Sequence, residues 1–367
     1  MTFRPDESAP RRGTGRRAAI VGVGLIGGSI GKGLRRAGWY VTGADQDERM
    51  AARAVAVGAI DAIGTDRSAD VTFVATPVGS VPAIALEALA AGAAAVTDVS
   101  GVKASVVEAV AHPRFVGGHP MAGSELDGIE GADPDLFAGA AWVLTPTPVT
   151  NLDAYAAVHA AVSDLGAEVV HVSPDRHDAI VAVVSHVPHL TAAALMAVAA
   201  GHAEDEQGPL LRLAAGGFRD MTRISAGQPG IWPDVCADNA GAIAAVLGEL
   251  VAELTRIREA VLGQDRAGLL HTLERARATR LALPARGTRR PEDVVEVRVP
   301  VPNREGVLAD VATLASELGI NIESLETADA TEYERGLIVM VVDAAAGHRL
   351  RDALAAKGYR PLLGPLG

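Results

Sequence analysis

Cysteine is nearly absent: Cys236 is the single one in 367 residues. One thiol excludes an intramolecular disulfide framework and a zinc site built from cysteines, and it fits a reducing compartment. Aromatic residues make up only 3% of the chain although 49% is apolar, so the core must consist mainly of Ala, Val, Leu and Ile. Positive charge is in deficit, with 33 basic against 45 acidic side chains and a net charge of −12. That balance argues against nucleic acid as a partner, because phosphates bind to a positive surface. Residues 1–17 carry Arg11, Arg12, Arg16 and Arg17 among Pro and Gly and no apolar run. They lack the hydrophobic segment of a secretory signal and are expected to be a disordered tail. No later stretch reads as a membrane span. A soluble, cytoplasmic protein with no membrane partner is expected.

From Ala18 to Val172, short Val/Ile/Ala-rich runs alternate with helical stretches, the pattern of βαβ units and a parallel sheet. Expected strands are Ala18–Val23, Tyr40–Ala44, Val71–Ala75, Ala95–Val99, Phe115–Gly117, Trp142–Thr145 and Glu168–Val172. From residue 173 to 285 only helical patterns occur. In that region Ile243, Leu247, Leu250, Leu254, Ile257 and Val261 recur on one face. Such a stripe must be buried, either within the chain or against a second subunit, and a homodimer is expected. A polar linker, Pro284–Pro291, leads to a third unit over residues 293–367, where the order βαββαβ predicts a small ferredoxin-like sandwich.

Gly22, Gly24 and Gly27, with Leu25 and Ile26 between them, follow the first strand and open the first helix. In this dinucleotide-binding pattern the first glycine permits the turn and the second lets the backbone approach a pyrophosphate. The third allows close helix–strand packing, and the phosphates meet the helix N-terminus. Asp45 ends the next strand, where a carboxylate accepts hydrogen bonds from ribose hydroxyls. Gln46 and Asp47 offer no positive charge for a 2′-phosphate, so NAD is expected over NADP. Thr76 and Pro77, at the end of a strand, are expected on the nicotinamide side. The bland alternative is a structural turn with a surface aspartate.

His119 lies in a glycine-rich segment just after a strand. Imidazole titrates near neutrality and can take a hydroxyl proton as hydride leaves, although a loop histidine can equally be structural. Ser185 and His189 stand four apart, on one face if the helix persists through Pro188. Arg219 and Arg223 offer guanidiniums, the group best shaped to clamp a carboxylate; a solvated face or an ion pair with Asp220 is the alternative. No metal-ligand spacing is evident, and no metal is expected.

Taken together and in order, Gly22–Ser29 (GVGLIGGS), Asp98–Lys103 (DVSGVK), GGHPMAG, SPDRHD, SHVPH and GGFRDMTRI resemble the prephenate/arogenate dehydrogenase family over Ala18 to Leu283. The resemblance implies an α/β Rossmann domain (18–172), then an all-helical substrate and dimerisation domain (173–285). It implies that His119 is the catalytic base and that Arg223 and His189 hold substrate carboxylates. Ser185, His186 and Trp232 would line the pocket, with Glu125 near its entrance and Arg219 alongside. One departure stands out. Where the family usually has a serine beside the catalytic histidine, this chain has Gly101, and Ser100 or a water is expected to replace that hydroxyl.

The stretch Val297 to Leu363 resembles an ACT domain, with Asn303 and Gly306 in the expected amino-acid loop. This implies feedback control by an aromatic amino acid, or else a module used only for assembly. The small-molecule substrate is expected to be prephenate, with arogenate the alternative. A 3-hydroxy-acid dehydrogenase would call for a catalytic lysine in the helical domain, and Asp175 to Leu283 contains none. A catalytically silent sensor of NAD and an amino acid is the third alternative.

Overall fold

The alternation of apolar runs and helical stretches is realised in a computed structural model. It describes residues 15–123, 126, 128–205, 214–283, 294–302, 304, 306–329 and 335–364. The chain begins with β1 (Arg17–Val21), α1 (Leu25–Arg36), β2 (Tyr40–Ala44), α2 (Glu48–Ala56), β3 (Ala62–Ile63) and β4 (Val71–Val74). It continues with α3 (Val81–Ala90), β5 (Val96–Asp98), α4 (Ala104–Val110), β6 (Phe115–Pro120), β7 (Ala141–Thr145), α5 (Leu152–Asp164) and β8 (Glu168–His171). The chain divides into two compact units, Met1–Leu254 and Thr255–Gly367.

In the first unit an eight-stranded sheet has the order β3-β2-β1-β4-β5-β6-β7-β8. Strand order reverses at β1, which pairs in parallel with both β2 and β4. A crevice therefore opens outside the C-terminal ends of β1 and β4, the usual ligand position in such sheets. One apolar layer, with Ile20, Ile30, Leu34, Phe73, Trp142 and Val158, lies under α1 and α5. Another, with Val81, Ala85, Val96, Val106 and Phe115, lies under α3 and α4. Branched aliphatics fill both, as the scarcity of aromatics requires.

Three features differ from expectation. β6 and β7 run antiparallel, whereas a parallel sheet was expected. A parallel return needs a crossover, usually a helix, and the described part of 121–140 supplies only the 3-10 turn Ile129–Gly131. The tail expected to reach Arg17 ends sooner. Arg17 opens β1 and pairs with Asp66 at 2.6 Å, while Arg16 pairs with Asp164 at 2.6 Å and lies 4.7 Å from the Trp39 ring. Guanidiniums ordered by ion pairing and stacking carry no apolar signal; residues 1–14 lie outside the described residues. Third, the helical run Pro174–His202 is long and apolar enough to cross a membrane by length and composition alone. It carries several of the polar site residues described below.

That run comprises α6 (Pro174–Val181), a π-turn over Ala182–His186 and α7 (Val187–Asp205). Ser173 caps its start, its side chain accepting from the Arg176 N–H. Pro188 has no N–H for the carbonyl four residues back, and its ring would clash there. The Val187 N–H instead reaches the Ala182 carbonyl, and the wider turn lets the helix continue. The helices α8 (Gly216–Thr222), α9 (Trp232–Asp238), α10 (Ala240–Leu262) and α11 (Arg266–Leu281) follow, with no strand among the described residues from Asp175 to Leu283.

In the second unit β9 (Val294–Pro302), α12 (Val307–Glu317), β10 (Ile322–Asp329), β11 (Arg335–Asp343), α13 (Ala344–Ala356) and β12 (Leu362–Gly364) form βαββαβ. The antiparallel sheet has the order β10-β11-β9-β12. Val297, Val299 and Val301 alternate inward to meet Val311, Leu314, Leu350 and Leu354 from the two helices.

Candidate active site

The glycine loop fits a dinucleotide. Gly22 takes φ +91°, and a Cβ there would strike the Ala75 carbonyl at the end of β4. A Cβ on Gly27 would meet the Gly22 carbonyl, so only glycine lets α1 start this close to the turn. At Gly24 no atom lies within 4 Å of the Cβ position, which leaves a bare backbone cradle at the helix N-terminus. Gly24, Leu25 and Ile26 are part-exposed. Asp45, also part-exposed, accepts the Val23 N–H at 3.0 Å and the Asp47 N–H at 3.0 Å, which ties the loop to the end of β2. Across the crevice, the Ser80 hydroxyl lies 3.0 Å from the Thr76 hydroxyl, and Pro77 is exposed.

The second half of the site grows from the ends of β5 and β6. Asp98, fully buried, is paired with the equally buried Lys103 ammonium. It also accepts the Gly118 N–H at 3.0 Å and the Ser100 N–H at 2.9 Å. This network clamps the 98–103 turn against β6 and fixes the backbone next to His119. The Ser100 hydroxyl is held inside it, bonded to Asp98, to the Val102 carbonyl at 3.0 Å and to the Lys103 ammonium at 2.9 Å. The Ser100 hydroxyl, expected to stand in for the missing serine, is thus engaged in the network of its own turn.

Gly101 leaves an open place between two imidazoles. A Cβ there would lie 3.9 Å from His119 Nε2 and 3.9 Å from His186 Nε2. His119 is half-buried, and its Nδ1 lies 2.8 Å from His177 Nε2. Burial, then the charges of His177, Lys103 and His186, hold its pKa well below the ordinary imidazole value. It is therefore an unprotonated acceptor at neutral pH.

His177 and Asp178, both buried, join the site although sequence reasoning assigned them no role of their own. His177 Nδ1 lies 2.7 Å from Asp178 Oδ1. The Asp178 carboxylate also accepts the Lys103 and Ala104 N–H groups at 2.8 and 2.9 Å. Burial raises its pKa, but the bonds from His177 and those two amides outweigh it and hold the group ionised. An adjacent His-Asp pair in the first turns of a helix whose later part is apolar was the available signal.

His186, at the end of the π-turn, is buried and contacts Asn239 at 3.2 Å. It meets the Trp232 ring edge-on at 6.1 Å, and His189 stacks on that indole at 3.7 Å with planes 15° apart. Burial lowers the pKa of both histidines. Trp232 and Val235 also pack into the apolar cluster containing Val78, just behind the Thr76–Pro77 turn. The helical residues and the cofactor crevice thus share one packed wall.

Ser185 is half-buried in the π-turn. Arg219 is exposed and donates to the Ala214 carbonyl at 3.1 Å, and Arg223 is exposed at the start of the 3-10 turn Arg223–Ala226. Glu125 and Asn303 lie outside the described residues. Gly306 takes φ +81° at the start of α12. Among the described residues no cluster of His, Cys, Asp and Glu could hold a metal ion.

Three family models match consecutive parts of the chain. "Prephenate dehydrogenase, nucleotide-binding domain" covers residues 30–171, "Prephenate dehydrogenase, dimerization domain" covers 173–275, and "AHAS small subunit-like ACT domain" covers 297–355. The prephenate dehydrogenase of Bacillus subtilis is 33% identical over 226 residues, 61% of this chain and 60% of that one. The chain spans about three fifths of the length of the curated relatives it matches. The crystal structure of Aquifex aeolicus prephenate dehydrogenase in complex with hydroxyphenyl propionate and NAD+ is 31% identical, with a TM-score of 0.66. That match covers 72% of this chain and 97% of the other. Synechocystis arogenate dehydrogenase is 30% identical with a TM-score of 0.63, covering 72% and 98%.

Proposed function

As the chain belongs to the prephenate dehydrogenase family, we propose that it catalyses the NAD-dependent oxidative decarboxylation of prephenate to 4-hydroxyphenylpyruvate, in tyrosine biosynthesis. The observation that carries this reading is His119, a neutral, half-buried imidazole at the end of β6, in the domain that bears the glycine loop. NAD, when bound across the loop of Gly22, Gly24 and Gly27 with its ribose at Asp45, supplies the hydride acceptor. The nicotinamide side is assigned to Thr76 and Pro77.

His119 accepts the proton of the ring hydroxyl through Nε2 as hydride leaves the carbinol carbon. Loss of CO2 then aromatises the ring, so the driving force lies in the substrate and the protein's work is positioning. Arg223 and His189 are assigned to the substrate carboxylates, Trp232 stacking under His189 to fix its ring plane. Ser185, His186 and Arg219 are assigned to the pocket wall, and Glu125 to its entrance. The chain is proposed to work as a cytoplasmic homodimer. Its C-terminal module is proposed to bind an aromatic amino acid at the loop of Asn303 and Gly306.

Arogenate is the second reading, favoured by the similarity to the Synechocystis arogenate dehydrogenase. NADH absorbance with NAD and each substrate in turn tests both. Prephenate turnover that falls about 10²- to 10⁴-fold in His119→Asn is the expected outcome. Turnover of arogenate alone selects the second reading, and silence with both rejects the enzyme.

A further inference from the structure

We propose that His177 and Asp178 form a buried relay with His119 that fixes its tautomer, so that Nδ1 carries the proton and Nε2 is the base. The inference rests on the reading of His119 as the base and adds two positioning residues that do not touch the reacting atoms.

The protons can be assigned one by one, starting from donors that have no choice. Backbone amides of Lys103 and Ala104 donate to the two Asp178 oxygens at 2.8 and 2.9 Å, so this group is an ionised acceptor. His177 Nδ1, 2.7 Å from Asp178 Oδ1, must then bear hydrogen. His177 is 1% exposed, and the relay assigns its ring this one proton. Its Nε2 is therefore a lone pair, and it lies 2.8 Å from His119 Nδ1. His119 Nδ1 must donate. Its Nε2 is left bare on the side where Gly101 leaves space.

The neighbouring histidine is assigned in the same way. The Asn239 amide nitrogen donates to the Asp178 carbonyl at 2.9 Å, which identifies it as nitrogen, and its other hydrogen meets His186 Nδ1 at 3.2 Å. His186 therefore carries its proton on Nε2 and does not compete with His119 as a base. When His119 takes up the hydroxyl proton, its new charge faces the Asp178 carboxylate through His177. Asp178 stabilises that charge without taking the proton itself, as in other histidine–carboxylate pairs.

The relay makes a specific prediction for Asp178→Asn. With its oxygen at the Oδ1 position the amide still accepts from the Lys103 N–H and from His177 Nδ1–H, but it carries no negative charge. The charge that forms on His119 as it takes the hydroxyl proton then has no carboxylate facing it through His177. With NAD and prephenate, kcat should fall about 10²- to 10⁴-fold while KM for prephenate stays within about twofold, since Asp178 touches no substrate. His177→Gln, whose side-chain oxygen can still accept from His119 Nδ1–H, should lose far less. Long-range 1H–15N spectra of the wild-type histidines should show His119 protonated at Nδ1 only.

A folded Asp178→Asn enzyme with wild-type kcat overturns the relay, as does a wild-type spectrum with the His119 proton on Nε2. Should the variant not fold, the wild-type spectrum decides alone. A wild-type chain silent with prephenate and arogenate, or full activity in His119→Asn, rejects the underlying reading instead.

Discussion

At the scale of single residues, the site is a set of histidines kept neutral by burial. His119, His186 and His189 all have pKa values below the ordinary 6.5, with burial the leading cause in each. A base with a depressed pKa stays unprotonated as pH falls, so kcat/KM for prephenate should hold its plateau through pH 6.5. An acid limb centred there would contradict the assignment. For stability, below pH 6.5 the unfolded chain binds protons that the native histidines refuse, so the native state should lose stability from 6.5 downward. Urea midpoints measured across that range check it. The buried Lys103–Asp98 pair is a second case. Lys103→Ala strands an unpaired carboxylate in the interior and should cost about 3–5 kcal/mol, measurable by denaturant unfolding.

Elements bring these residues together. The π-turn over Ala182–His186 exists because Pro188 interrupts the helix, and it carries His186 to the indole of Trp232 on which His189 stacks. The spacing of Ser185 and His189 was legible in the sequence; the widened turn was not, because periodicity does not register one extra residue per turn. On α10 the predicted stripe is only partly used within the chain. Ile243 is buried and Leu247 and Leu250 pack beside it, whereas Leu254, Ile257 and Val261 are 53%, 36% and 58% exposed. Contiguous exposed apolar residues mark an interface. Leu254→Glu should therefore shift the proposed dimer to monomer in analytical ultracentrifugation, and an unchanged mass would remove α10 from the interface.

At the scale of the whole molecule, the proposed catalytic and regulatory roles fall to different compact units, Met1–Leu254 holding the described histidine cluster and glycine loop and Thr255–Gly367 the ACT-like sheet. Regulation implies a coupling free energy between sites, typically about 1–3 kcal/mol. Tyrosine should accordingly raise the apparent KM for prephenate or lower kcat several-fold. Initial rates with and without millimolar tyrosine check this, and rates that do not change would leave the module an assembly device.

The sequence by itself determined most of the order of elements, the glycine loop with its acid and the three-part organisation, and it singled out His119 as a candidate. Each of these is written in local spacing: period 2 or 3.6, glycines where backbone must turn or touch, an acid at a strand end. The tertiary structure decided what depends on residues far apart in the chain meeting in space. It paired His119 with His177 and Asp178, enclosed the Ser100 hydroxyl in the Asp98–Lys103 network, and turned β7 antiparallel to β6. Hydrogen-bond partners separated by 58 or 75 residues leave no periodic trace, because their proximity is set by the packing of helices against the sheet and not by any step along the chain.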